Sequence, residues 1–329
     1  MKLLRLLSAL ALRQPKIHSS LDTVVDCGYD GFILDQFGVL HNGVEALPGA
    51  VAAVERLYKL GKKMVILSNT SAPATKALER LPKYGFEAHW FIGAVTSGEE
   101  ASRFLKSQPD PKRVLFWTWD ESIPNNPRVT AAPQAFLDRC GDDVAVVDTI
   151  EKANWLLLHG SEVWNRGSDA PSISFGDYIN CGEFSGVLEP LLQQCAKHDI
   201  PMVCANPDNI VVTPSGGEAY MPGLIAQRYR EITGKQHHVF GKPDRQHFSA
   251  CVDRLEAAGC SNVIHVGDSL HHDVRGALDA KVDVLFVSSG VHASALGVPF
   301  GAMASKTSLD ELFKTTSITP TDVIPAFLF

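Results

Sequence analysis

Short apolar runs that read as buried strands alternate along this chain with stretches whose apolar residues recur at helical spacing. The run Gly31–Leu34 ends at Asp35, after which Gly38, Asn42 and Gly43 force a loop. Val51, Val54, Leu57 and Tyr58 then predict a helix over 48–60, closed by Gly61. A second buried strand over 64–67 ends in Ser68, Asn69 and Thr70, a helix is predicted over 75–84, and a strand reaching Thr96 and Ser97 leads into another helix. From about residue 113 a new series begins. VLFWTWD, DVAVVD and ANWLLLHG predict strands ending at Asp120, Asp148 and His159, and PMVCANPD predicts one ending at Cys204, before Asn206 and Asp208. The first series resumes at Val239 and Phe240, which lead to Gly241-Lys242-Pro243. A helix over 245–258 follows, then a strand over 263–266 turned by Gly267, with Asp268 and Asp273 five apart across the start of a helix. VDVLFV is the last buried strand, and the tail reads as mixed, broken by Pro320 and Pro325. Such alternation predicts an α/β fold, a parallel sheet with helices on both faces. Its core is expected over 17–96 plus 237–329, with an α/β insertion over 97–236.

Composition narrows the function. The chain has 329 residues, 45% hydrophobic and 20% charged, with a net charge of -7. That balance is ordinary for a globular enzyme and gives no electrostatic footprint for nucleic acid or a membrane surface. No apolar run approaches the roughly 18–20 residues that span a bilayer. The seven cysteines are odd in number and scattered, so they read as reduced thiols rather than a disulfide framework or a zinc site. Residues 1–16 carry Lys2, Arg5, Arg13 and Lys16, many leucines and no acid. They fit a mitochondrial presequence, a weak secretory signal or a plain amphipathic surface helix, and because the cysteine usage argues against secretion, cytoplasm and mitochondrion are the candidate locations.

Chemistry enters through the strand ends. Open α/β sheets bind ligands at the carboxyl edge of the strands, and that edge would collect Asp35, Ser68, Lys242, Asp268 and Asp273. Three crowded carboxylates repel unless a hard cation joins them, and oxygen ligands suit Mg2+. Ser68, Asn69 and Lys242 supply donors and a positive charge for phosphate oxygens, although Ser and Asn also serve as helix caps. Asn206 and Asp208 either touch a substrate or make an Asn-Pro-Asp turn. The assembled reading is phosphoryl transfer with an aspartate nucleophile. His41 reads as a loop histidine, His271 and His272 as helix-start surface residues, and Trp117 and Trp119 as core. A serine elbow, a P-loop and a G-x-G-x-x-G motif are all missing from the sequence.

In their order, DQFGVLHNG, SNT, GKPD and GDSLHHD resemble the four motifs of the haloacid dehalogenase-like hydrolases. The long insertion, with CANPD and MPG, is similar to the class IIA cap of that superfamily, and the resemblance spans about residues 17 to 329. It implies a Rossmann-like core and a cap that closes over a small phosphorylated substrate. It also implies Asp35 as the nucleophile that becomes an aspartyl-phosphate. Mg2+ would be held by Asp35, the backbone carbonyl of Phe37 and Asp268, with Asp273 in support. Ser68 and Lys242 would hold the phosphoryl group, Asn69, Thr70, Asn206 and Asp208 would meet substrate, and the cap is a candidate homodimer contact. One position departs from the pattern. Phe37 stands where phosphatases of this superfamily carry the aspartate that protonates the leaving group. The resemblance therefore leaves three readings: substrates with good leaving groups, a replacement acid such as His41, or a phosphometabolite-binding protein with little turnover. A metal-independent dehalogenase fits less well, because it gives Asp268 and Asp273 no cation to hold.

Overall fold

The structure, a computed structural model, describes residues 14–124, 126, 129, 133–168, 170–184, 186–212 and 217–329. The predicted targeting segment falls, up to residue 13, outside the described residues. The chain divides into two compact units. One comprises residues 1–67, 81–93 and 243–329, and the other 68–80 and 94–242.

The first unit is built on parallel strands in the order Lys16–Ile17, Asp322–Ile324, Asp283–Val287, Val263–Gly267, Gly31–Leu34 and Lys63–Ser68, the last of them as far as Leu67. From Lys16–Ile17 through to Lys63–Ser68, each neighbouring pair is parallel. The central strands are apolar almost throughout because both faces are covered, as parallel sheets require. The covering helices include Ala50–Lys59, which buries Ala50, Ala53, Val54 and Leu57, and Arg245–Ala257, which buries Phe248, Cys251 and Leu255. Two adjacent strands, Gly31–Leu34 and Val263–Gly267, therefore release their next residues, Asp35 and Asp268, at the same edge.

The second unit carries a mixed sheet in the order His238–Val239, Met202–Cys204, Trp155–Leu158, Lys112–Thr118, Val163–Asn165 and Ile173–Ser174, with Val144–Val146 also paired to Lys112–Thr118. Its core includes Trp117, Leu156, Leu158, Tyr178, Met202, Ile225 and Tyr229.

Several elements differ from the sequence expectation. The helix predicted over 75–84 is α-helical only over Ala74–Glu79 and continues as a 3-10 turn, Leu81–Tyr84. Pro82 accounts for this, since it lacks the amide that an α-helix needs there. The tail read as mixed holds a helix, Lys306–Thr316, with Ser305 as its N-cap, and the strand Asp322–Ile324. Pro320 precedes that strand rather than breaking it. In the second unit, Val163–Asn165 and Ile173–Ser174 run antiparallel to their neighbours. The two-stranded hairpin Ile210–Val212 and Glu218–Tyr220 was not anticipated.

Candidate active site

Within the first unit the structure brings together Asp35, Asp268 and Asp273. One oxygen from each lies within 4.8 Å of the others. All three are buried, at 8%, 5% and 0% relative exposure. Each accepts from a backbone amide. Asp35 Oδ1 accepts from the Gln36 amide at 2.8 Å, Asp268 Oδ2 from Val291 N at 2.8 Å, and Asp273 Oδ2 from Ser269 N at 3.0 Å. Asp273 Oδ1 faces His265 Nε2 at 2.9 Å. Leu270–Val274, which carries Asp273, is a wide π-type turn capped by the Ser269 side chain, which accepts from His272 N.

The donor set fits a hard cation. Ligand oxygens of a six-coordinate Mg2+ stand about 2.1 Å from the ion, hence at most about 4.2 Å apart, a spacing compatible with three oxygens that all lie within 4.8 Å of one another. Carboxylate oxygen without nitrogen or sulfur favours Mg2+ or a similar ion over zinc or copper.

The loop after Asp35 explains its own sequence. Val39 and Leu40 point into the core, and Leu40 N and His41 N both donate to the Gln36 carbonyl. Gly38 has φ of 81°, and a Cβ there would overlap Asp268 Oδ2 and lie 2.6 Å from its Cγ. The position is kept clear for the Asp268 carboxylate. Phe37 is left 43% exposed, its ring edge-on to His41. His41 itself is buried and stacked on Tyr84 at 4.1 Å, and its Nδ1 accepts from Gly43 N at 3.1 Å. A proton on Nδ1 would remove that acceptor. His41 is therefore poorly set to serve as the imidazolium acid that could replace an aspartate at position 37.

Ser68, Asn69, Thr70, Asn206, Asp208 and Lys242 belong to the second unit. The following helix begins at Ala74 after Pro73 and has no side-chain cap, so Ser68, Asn69 and Thr70 are not its caps. Asn69 is a bridge. Its Oδ1 accepts from Lys242 N at 2.7 Å, and its Nδ2 donates to Asp208 Oδ1 at 2.7 Å. A Cβ at position 241 would lie 2.6 Å from Asn69 Oδ1 and 2.5 Å from Pro207, so the residue before Lys242 is held to glycine by close approach. Asn206 forms the anticipated turn, its Oδ1 accepting from Asp208 N at 3.0 Å. Trp117 and Trp119 are buried, as core residues. No helix among the described residues is long and apolar enough to cross a membrane.

Sequence reasoning did not single out His265. It is fully buried in the strand Val263–Gly267 and in contact with Asp273. The signal was available: a histidine inside an otherwise apolar buried strand.

The fold and the carboxylate cluster mark a class, and comparison with known proteins agrees. The sequence pattern described as haloacid dehalogenase-like hydrolase matches residues 32–123, and a second, described as HAD-hydrolase-like, matches 239–323. Together they take in more than half of the chain. The protein belongs to the haloacid dehalogenase-like hydrolases. A 4-nitrophenylphosphatase of Schizosaccharomyces pombe is 26% identical over 281 residues, covering 80% of this chain and 85% of its own. Among solved structures, a haloacid dehalogenase-like hydrolase of Brucella suis aligns with TM-score 0.68 at 23% identity, over 95% of this chain and all of its own. A glycerol phosphate phosphatase of Mycobacterium tuberculosis, solved in complex with magnesium, aligns with TM-score 0.54 at 20% identity, over 83% and 73% of the two chains.

Proposed function

We propose that this hydrolase is a Mg2+-dependent phosphatase of small phosphorylated metabolites that works through an aspartyl-phosphate on Asp35. The observation that carries the reading is the buried group of Asp35, Asp268 and Asp273 at the carboxyl ends of two adjacent parallel strands. The relatives named phosphatases support it. Asp35, Asp268 and the Phe37 carbonyl would hold the ion, with Asp273 in support. Bound there, Mg2+ would offset the charge of the carboxylates and of the phosphoryl oxygens. An Asp35 oxygen attacks phosphorus, the bond to the leaving oxygen breaks, and water then releases inorganic phosphate and restores Asp35. Ser68 and Lys242 hold the phosphoryl group in this reading, and Thr70, Asn206 and Asp208 face the substrate. Asn69 faces the substrate with them, and its carboxamide links Lys242 to Asp208.

Phe37 cannot give a proton to the departing oxygen. General acid help is typically worth about 10²–10⁴-fold, so aryl and acyl phosphates, whose leaving groups depart as stable anions, are the favoured substrates. A core over 17–96 plus 237–329, a cap over 97–236 and a homodimer through the cap complete the proposal. The odd number and scattered placement of the seven cysteines fit a reducing compartment, and cytoplasm or mitochondrion is the proposed location.

Turnover of p-nitrophenyl phosphate and acetyl phosphate, with Mg2+ and with EDTA, beside Asp35→Asn, tests the reading. Release that needs Mg2+ and vanishes in the variant is expected. No turnover of either compound would favour the second reading that Phe37 motivates, a phosphometabolite-binding protein.

A further inference from the structure

We infer that His265 is a positioning residue for the cation site, and that it fixes Asp35 and Asp268 relative to one another. The inference rests on the Mg2+ reading of the carboxylate cluster. His265 lies directly opposite Ile33 in the parallel pairing of Val263–Gly267 with Gly31–Leu34. Its Nδ1 is 3.1 Å from the Ile33 carbonyl. A carbonyl only accepts, so Nδ1 carries a hydrogen and the ring is tied to the strand Gly31–Leu34, which Asp35 follows directly.

The other ring nitrogen reaches Asp273 Oδ1 at 2.9 Å, and Asp273 Oδ2 takes the amide of Ser269, the residue after Asp268. One imidazole thus connects the Asp35 strand to the turn that presents Asp268. Both His265 and Asp273 are fully buried, so water does not compete for these contacts. The Phe248 ring stands edge-on to the imidazole at 5.0 Å and 87°, which limits its rotation.

The arrangement matches a general feature of metal sites. Residues behind the ligands hold them in the orientation the ion needs, and removing one typically weakens metal binding by about 10–100-fold. Backbone pairing already ties the two strand ends, the Asp35 amide donating to the Val266 carbonyl at 3.0 Å, and His265 adds a side-chain link from the same strand pair to Asp273. Asp273 accordingly acts through Ser269 and His265 to steady Asp268.

The test is Mg2+ binding by calorimetry on the full chain, comparing wild type, His265→Asn and His265→Gln. Asn keeps a donor near the Nδ1 position but falls short of Asp273, whereas Gln places a donor near the Nε2 position. The expected result is Mg2+ affinity about 10–100-fold weaker in His265→Asn and partly restored in His265→Gln, with thermal unfolding without Mg2+ alike in the two variants. Affinity within twofold of wild type in both variants would overturn the inference. A wild type that binds no Mg2+ would instead overturn the metal reading beneath it. Imidazole 15N resonances of the wild type give a measurement that no variant's folding can spoil. The His265 signals should shift on Mg2+ saturation, and signals that stay fixed while Mg2+ binds would also overturn it.

Discussion

Replacing Gly38 with alanine should remove Mg2+ affinity through a single methyl group. The backbone there has φ of 81°, and the added Cβ would overlap Asp268 Oδ2 and stand 2.6 Å from its Cγ. Ordinary contact begins at 3.4 Å, so the Asp268 carboxyl carbon must retreat by about 0.8 Å and the overlapping Oδ2 by more. Metal–ligand distances tolerate about ±0.2 Å, so a retreat of that size takes Asp268 out of coordination. Stability also suffers, because a left-handed backbone costs a non-glycine residue roughly 1–2 kcal/mol. Gly61→Ala separates the two effects. Its φ is 75°, yet nothing lies within 4 Å of the added Cβ. Both variants should lose a few degrees in Tm without metal, but only Gly38→Ala should lose Mg2+ affinity, by at least about tenfold, in calorimetry. Equal Mg2+ affinity in the folded Gly38→Ala and Gly61→Ala proteins would refute the placement of Asp268 at the ion.

Phe37→Asp supplies the missing acid, so turnover of alkyl phosphates should rise by up to about 10²-fold and that of p-nitrophenyl phosphate far less; steady-state rates on both check it, and an equal change on both would reject the leaving-group argument. Asn69→Ala leaves the amide of Lys242 and the carboxylate of Asp208 without a shared partner and should lower stability by about 1–3 kcal/mol in urea unfolding, a loss below about 0.5 kcal/mol counting against the bridge. His159 is wholly buried, its Nδ1 within 2.8 Å of Thr118 Oγ1, and burial pushes it down to about 3 from 6.5. The unfolded chain therefore takes up a proton that the folded one refuses. Stability intact above pH 6.5 is lost as pH falls toward 3, by roughly 4–5 kcal/mol over that window. His159→Gln should flatten the acid limb of Tm against pH, and an unchanged slope would show that another group causes it.

The strands that matter most were legible because burial on both faces leaves little room for polar residues: Gly31–Leu34 and residues 64–67 read as uninterrupted apolar runs, and Val263–Gly267 as one broken by His265 alone. Their ends were legible for the same reason: Asp35, Ser68 and Asp268 stand out against what precedes them. The short antiparallel strands of the second unit were not. Val163–Asn165 and Ile173–Ser174 have three and two residues, too few for a period to show, and their pairing depends on partners distant in sequence. The strand Asp322–Ile324 was hidden behind Pro320 and becomes a strand because Asp283–Val287 offers it an edge.

Local sequence thus determined which residues are apolar enough to be buried and which carboxylates and donors follow them, since both depend on side-chain chemistry and spacing along the chain. Tertiary structure alone decided which of those groups meet. It brought Asp273 onto His265, closed Gly38 against Asp268, and spent the carboxamide of Asn69 on Lys242 and Asp208. Those contacts span from 8 to 230 positions of chain, and only the pairing of strands and the close packing around them sets such distances.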